Sequence, residues 1–591
     1  MMNELIQRWR DAREEDLKLE DYQQFSNMGA ACLDEGDGEQ LLTFLQNEKN
    51  QGIVKSMGCG LLAHLIKEVA QNKRSQDHCQ AAITQLTKSC SPETLFRSFL
   101  EVTEDIDPGA ISETILAVLP HLQTVLLQMD ERKGSCVGLA LSAIQKQLSR
   151  LPVPYTQQQD EADEHSLHRC CSALAAFVQP FVEEVKKKDE NSITTAEEEE
   201  LKTELLKFCM RSLREPLLEA ELNQDRKSAL WLFAADIIDI LLAIKESLSG
   251  LLFSTFLRKG ILMDGNLSKE STACLAYLLF VQLIGIDSFP AVFSPVFILQ
   301  CNMEHINQLL SCKKESHLLK GLALFSKSLE KVDNDNLPVG LLDLKSFYNA
   351  PQRLRQVLTD CPIRHLRESG LRVFQLLINK LDAEAKHKFF RCMLKTSNHA
   401  GVESYIVKNI RNQIQLSMKG LVNYKPGNAN KWFLGVKLLP LVGLVLHLPQ
   451  AAETDLLSNM DKVMESLNLL RFLLFQDKEL RNNADMWGEL CSIKDLYLKT
   501  LRVCISMSRA YYSAELKALK EDQKLKAKES KDAARPIRLI KPITMKHESM
   551  SSMSPELQYQ ELQSALVTFD LMESLVVRIE EITEEKLAKL N

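Results

Sequence analysis

Apolar residues recur along most of this chain every three or four positions, with polar residues between them. Between Ile363 and Leu381 the stripe is Leu366, Phe374, Leu377 and Leu381. After Met460 it is Val463, Leu467, Leu470 and Leu474, and near the end it is Leu562, Leu566, Phe569, Val576 and Ile579. A helix gathers such positions on one side, so each stripe predicts an amphipathic helix with one dry face. Helix starts are marked as well. Ser91-Pro92-Glu93, Asp107-Pro108, Ser294-Pro295 and Ser554-Pro555-Glu556 set a capping residue before a proline, whose missing N–H is no loss in a first turn. Asp382-Ala383-Glu384 places acids at the positive end of another helix. Strict alternation over a strand length is scarce. The apolar run Leu275–Ile286 is long for a strand and reads as a core helix.

The predicted helices come in pairs: Ile363–Leu381 with Ala383–Lys395, Val402–Gly420 with Lys431–His447, and Leu456–Asn459 with Met460–Gln476. That spacing is near the ~40-residue unit of HEAT and armadillo arrays. The fold class predicted is all-α, an α-solenoid of degenerate HEAT-like helical hairpin repeats, with separate helical bundles as the alternative. An N-terminal helical region is placed at 1–225, with polar linkers near 156–166 and 186–200. A C-terminal HEAT-like region is placed at 226–591, with a flexible insertion at about 530–553 and a final amphipathic helix at 555–590. Val332–Pro338 and Asn423–Asn430 carry turn chemistry.

Composition narrows the function classes. Over 591 residues there are only 22 glycines and 18 prolines, too few for the turns of an all-β protein. The formal net charge is −7, so a global nucleic-acid footprint is absent and nucleic acid is not a predicted partner. The 15 cysteines are odd in number, run from Cys32 to Cys504, and include no C-x-x-C, which predicts reduced thiols in a cytoplasmic protein. The N-terminus is charged from Glu4 onward, and no run reaches the ~18 apolar residues of a spanning helix. A soluble protein without a membrane span is expected.

No catalytic constellation stands out. Gly58-Cys59-Gly60-Leu61-Leu62-Ala63 fits a loose dinucleotide fingerprint, but the surroundings are helical, and small residues at a close helix approach explain it better. Gly134-Ser135-Cys136-Val137-Gly138 resembles a nucleophile elbow without the buried strand that an elbow needs; a loop before a helix at Leu139–Leu151 is expected instead. His165, His168, Cys170 and Cys171 crowd together but lack a second chelating pair. No enzyme activity, metal or cofactor is predicted.

Charge is uneven. Lys380 to Lys437 holds eleven bases against three acids, interleaved with Asn398, His399, Tyr405, Asn412, Tyr424, Trp432 and Phe433. Such a mixture suits either a solvated helix face over core aromatics or a protein interface, where Trp, Tyr and Arg dominate.

Several segments carry a resemblance through their number, order and spacing. They are Leu45–Asn50, Leu151–Tyr155, Pro180–Val185, Leu275-Ala276-Tyr277 with Phe280-Val281-Gln282, and Ile378–Asp382. Thr396–His399 running into Gly401-Val402-Glu403, Ala452–Leu457, Ser466–Arg471 and Phe569-Asp570-Leu571 complete them. With these, the chain resembles the glomulin family over nearly its full length; Thr156–Ser166 and Ala514–Met553 match least. The resemblance implies a HEAT-like, non-enzymatic inhibitor of cullin–RING ubiquitin ligases. It implies binding of the RING-box subunit through the C-terminal region, so that the ubiquitin-conjugating enzyme is not recruited. It also implies links to an FK506-binding immunophilin, to the hepatocyte growth factor receptor and to vascular smooth-muscle development. Candidate partner-binding residues in that region are Asn398, His399, Tyr405, Lys408, Arg411, Asn412, Lys431, Trp432, Phe433 and, on the last helix, Arg578. A general α-solenoid scaffold or adaptor for other protein partners is the alternative.

Overall fold

The computed structural model describes residues 2–12, 16–71, 76–130, 132–187, 195–222, 228–253, 265–422, 432–475, 484–529 and 555–588. The fold is all-α, a helical-repeat solenoid. Among the described residues the one extended pairing is an isolated bridge between Leu337 and Leu381. The chain forms two compact units, Met1–Lys331 and Val332–Asn591. The division expected at 225/226 falls among residues 223–227, outside those described.

The first unit contains α1 (Met2–Asp11), α2 (Leu19–Asp34), α3 (Gly38–Gln46), α4 (Gln51–Met57), α5 (Leu62–Ala70), α6 (Gln76–Ser89), α7 (Pro92–Glu104), α8 (Ile111–Leu127), α9 (Lys133–Leu148), α10 (Gln157–Ala162), α11 (Leu167–Lys186), α12 (Ala196–Arg214), α13 (Ala229–Ala243), α14 (Leu248–Phe253), α15 (Gly265–Phe280), α16 (Pro295–Leu310) and α17 (Glu315–Glu330). Most of it is stacked in two rows. Helices α5, α8, α11 and α13 pack one on the next, and so do α7, α9, α12, α15 and α17. Contacts of α8 with α7 and α9, and of α12 with α11 and α13, join the rows. Each helix therefore buries apolar residues against neighbours in its own row and across it, as a repeat array requires.

The second unit contains α18 (Lys345–Asp360), α19 (Arg364–Lys380), α20 (Ala383–Thr396), α21 (Ala400–Val422), α22 (Leu439–Val445), α23 (Met460–Phe475), α24 (Ala484–Glu529) and α25 (Pro555–Ala588). The predicted stripes are its core: Leu366, Phe374, Leu377, Val463, Leu467, Leu470, Leu474, Phe569, Val576 and Ile579 are all buried. Pairing differs from the hairpin scheme. α19 packs chiefly on α18 and reaches α20 through Phe374 and Phe389, whose ring centroids lie 5.7 Å apart. α21 pairs with α23 rather than with the segment that follows it.

The signalled starts hold at several helices. Ser294 accepts from the Phe297 amide at 3.3 Å ahead of Pro295, and Asp382 accepts from the Ala385 amide at 2.7 Å. Asp107-Pro108 instead forms a turn, and α8 begins at Ile111. The helix expected over Lys431–His447 is much shorter. Gly435 turns the chain at φ +65°, a 3-10 turn follows, and only Leu439–Val445 is α-helical. The helix expected from Leu139 already begins at Lys133. The linker at 156–166 holds α10, started by a Thr156–Gln159 capping box. Residues 188–194 of the second linker and the insertion at 530–553 lie outside the described residues. No described helix is long and apolar enough to cross a membrane.

Close approach accounts for both glycines of the Gly134–Gly138 motif. A Cβ built on Gly134 would stand 2.8 Å from the Leu201 backbone nitrogen, where α9 lies on α12. One on Gly138 would stand 2.3 Å from the Glu204 side chain. The apparent nucleophile elbow is a helix-packing surface. Gly134→Ala meets backbone that cannot step aside, so it costs about 1–3 kcal/mol of overpacking. Gly52→Ala, in a helix with open space around the new methyl, is neutral or stabilising by up to about 1 kcal/mol. Paired urea titrations read the contrast.

Buried ionisable groups set a pH dependence in the same unit. His305 on α16 is 5% exposed, and burial pushes its pKa down to about 4 from an ordinary 6.5. The unfolded ring takes up a proton at about pH 6.5 and the folded ring only near 4. Stability is therefore complete above 6.5 and lost as the pH falls through that window, by about 3 kcal/mol for this residue. A His305→Leu variant loses correspondingly less between pH 7 and pH 4.5 in denaturant titrations.

Candidate protein-interaction surface

The basic, aromatic stretch forms α20, α21 and the turn into α22. α20 ends at Thr396, and Ser397-Asn398-His399 turns the chain into α21. Asn398 and His399 are exposed there, and the His399 ring accepts from the Val402 amide at 3.4 Å, at the mouth of α21. α21 then buries Val402, Ile406, Val407, Ile410, Ile414 and Met418. Tyr405, Lys408 and Asn412 follow at three- and four-residue steps along its other side, so they share one face. Lys408 and Asn412 are exposed. Tyr405 is half-buried, and desolvation raises its hydroxyl pKa. That hydroxyl donates to Gln375 on α19; Gln375 donates to Asn409 at 3.1 Å, and Asn409 donates back to the Tyr405 carbonyl at 2.9 Å. Tyr405 is thus a fixed edge of the surface, not a free side chain.

Arg411 turns to the flank of α21 and pairs with Glu465 on α23 at 3.8 Å. Deeper in that seam Lys462 meets Glu403 at 2.5 Å, both side chains 7% exposed or less. This buried pair had no signal in the pattern, because its members sit on different helices. Gln375 did carry one: it is a polar residue inside the apolar run Val373–Ile378.

The remaining candidates separate. The Trp432 ring is half-buried, with His387 at 5.3 Å and the Lys437 ammonium 3.3 Å from its centroid. Phe433 is 1% exposed and packs on His387 and Phe390 at 5.9 and 6.1 Å, so it is a core residue that anchors this turn to α20. Lys431 lies outside the described residues. Arg578 is exposed on α25, which packs on α23 and α24, and pairs with Glu581 at 2.8 Å and Glu585 at 3.9 Å.

The positive charge of the stretch is partly engaged inside the fold. Lys380 and Lys386 are buried, and Lys386 pairs with Asp335. Lys388 pairs with Asp343 at 2.5 Å. Lys395, Lys408 and Lys419 are exposed. Among the described residues, what faces solvent is a modest basic rim beside amide and aromatic edges, a mixture compatible with protein recognition.

The other crowded sets resolve as structure. His168 packs on Asp160 at 3.0 Å, while Cys170 and Cys171 are buried and desolvation raises both thiols, Cys170 to about 12. Among the described residues no group of three or more His, Cys, Asp or Glu is placed to hold a metal ion.

Removing one member of the Glu403–Lys462 pair strands a buried charge. Glu403→Ala is expected to cost about 3–5 kcal/mol in urea unfolding, and adding Lys462→Met is expected to restore most of it.

A family model described as an uncharacterised protein family, YAP/Alf4/glomulin, matches residues 1–557. Human glomulin is 42% identical over 601 aligned residues, covering 99% of this chain and 97% of that protein. Mouse glomulin is 40% identical over 599 aligned residues, again covering 99% and 97%.

Proposed function

The chain belongs to the YAP/Alf4/glomulin family, and on that premise we propose that it is a non-enzymatic, cytoplasmic inhibitor of cullin–RING ubiquitin ligases. It binds the RING-box subunit through its C-terminal region and covers the surface that recruits the ubiquitin-conjugating enzyme. The observation that carries this reading is full-length relatedness to glomulin, with 97% of each relative covered.

Masking is a steric mechanism. It needs about 800 Å² of stable surface per partner, a few fixed anchors and a rim that steers the encounter. The Asn398–His399 turn and the Tyr405, Lys408 and Asn412 face of α21 support such a role. Tyr405 is pre-ordered by Gln375, so little side-chain entropy is lost on contact. Lys408 sits exposed beside it. Trp432, propped by Lys437 and His387, offers a second aromatic edge. Arg578 on α25 is a further candidate. Phe433, 1% exposed, packs in the core on His387 and Phe390 and is left out of the proposed contact surface. Binding of an immunophilin or a growth-factor receptor belongs to the adaptor reading, in which the RING contact is weak.

The test titrates purified full-length protein into a reconstituted, neddylated cullin–RING ligase and follows ubiquitin transfer. Inhibition that excess conjugating enzyme relieves is expected. Lys408→Glu is expected to raise the half-inhibitory concentration about tenfold while leaving the unfolding midpoint unchanged. No inhibition at concentrations well above the ligase defeats the reading and leaves the scaffold alternative.

A further inference from the structure

Five phenylalanines gather where the chain passes from α15 into α16. Phe253, at the end of α14, stands edge-on to Phe289, Phe293 and Phe297, with ring centroids 5.8, 5.1 and 5.4 Å away. Phe293 and Phe297 stack at 5.3 Å, and Phe289 reaches Phe280 at 5.3 Å. The cluster is dry at its base and wet at its top. Phe280 and Phe289 are buried, Phe253, Phe293 and Val296 are half-buried, and Phe297 is exposed. Val292, in the turn between Pro290 and Phe293, is 82% exposed, more than any other large apolar side chain among the described residues. Ring-on-ring packing braces this projection from beneath, so its apolar tip is held out into solvent.

The chemistry of the wedge limits what it can meet. From Ser288 to Met303 the chain carries no Asp, Glu, Lys, Arg or His. Between Phe289 and Phe297 the one polar side chain is Ser294, and its hydroxyl already accepts from the Phe297 amide at 3.3 Å as the cap of α16. Pro290 and Pro295 have no N–H to desolvate. A protein interface carries about one hydrogen bond per 100–200 Å². A tip whose only polar side chain is a helix cap has little with which to fix the register of a protein partner. The headgroup–acyl boundary of a bilayer takes up apolar area and needs no directional partner. Charge then selects among lipids. Asp287 precedes the run, Glu304 follows it, and no lysine or arginine lies between Ile286 and Cys312. This stretch gives an anionic headgroup nothing to pair with, which favours a zwitterionic surface.

We propose that the Pro290–Phe297 wedge is a peripheral membrane-contact site, in which Val292 and the Phe293 and Phe297 rings enter the interface of a zwitterionic phospholipid bilayer. Insertion is shallow, about 5–10 Å. At that depth the peptide groups of the turn keep water and headgroup partners, while the side chains leave water. The buried Phe280 and Phe289 hold the wedge on the fold as it enters. One small wedge binds weakly and reversibly, as a single short anchor does.

Purified full-length protein is mixed with phosphatidylcholine vesicles and separated by flotation, beside a second set that also contains phosphatidylserine. Association saturating at millimolar lipid is expected, with phosphatidylserine changing it by less than about twofold. Val292→Asp is expected to lower the partition coefficient about tenfold, the worth of one valine's apolar surface. Val292→Trp is expected to bind more tightly, with fluorescence that brominated acyl chains quench. Both substitutions sit at a solvent-facing tip, and an unchanged urea midpoint confirms that each variant is folded. No flotation at millimolar lipid overturns the proposal, as does flotation that requires phosphatidylserine or that Val292→Asp leaves unchanged. Self-association without vesicles that Val292→Asp abolishes assigns the wedge to a second copy of the chain and overturns it as well.

Discussion

No helix of this chain can bury its apolar stripe alone, and the rest of the structure follows from that constraint. A single amphipathic helix leaves its dry face in water, and a hairpin covers only part of it. Stacking α5, α8, α11 and α13 in one row and α7, α9, α12, α15 and α17 in another covers each stripe from several sides. The stack then dictates what its seams accept. Glycines stand where helix backbones approach, as Gly134 does against Leu201. Polar groups caught in a seam need partners inside it. Lys320 on α17 is fully buried and its pKa is pushed down to about 8, and its ammonium donates to the Ala220 carbonyl beside the Tyr277 ring. Glu403 and Lys462 answer the same demand between α21 and α23.

The seams also decide how much charge reaches the surface. Counted along the chain, Lys380 to Lys437 is strongly basic. Folded, Lys380 and Lys386 are interior, Lys388 answers Asp343, Arg411 answers Glu465, and Lys437 lies over Trp432. The acids that balance these bases come from elsewhere in the chain, such as Asp335 at the turn before α18. A charge run in sequence is therefore a weak guide to a surface potential in an array whose partners are distant in sequence. Among the described residues of this stretch, the lysines left exposed without such an internal partner include Lys395, Lys408 and Lys419.

The helices and their dry faces were legible because one period of 3.6 residues encodes both. Leu366, Phe374, Leu377 and Val463 are buried where that period puts them. Helix partners were only partly legible: α18 and α19 form a hairpin of consecutive helices where the pattern suggested α19 with α20, and α21 skips the segment after it to pair with α23. Lys431–His447 misled for a local reason: its apolar density is helical, yet Gly435 takes a left-handed turn and Pro440 lies in the first turn of the short helix that remains. At the candidate surface, Lys408 and Asn412 could be placed outward from spacing. Phe433 could not be placed inward, because an aromatic beside a turn suits either side until His387 and Phe390 close over it.

Cysteines adjacent in sequence are not by themselves a reactive site. Motif reading looks for reactive residues close in sequence, and it found Gly58-Cys59-Gly60 and Cys170-Cys171. The adjacent pair is buried, Cys170 Sγ donates to the Ser112 carbonyl at 3.7 Å, and desolvation raises both thiols. The pair lies in the first compact unit and the basic rim in the second, and each unit has its own core.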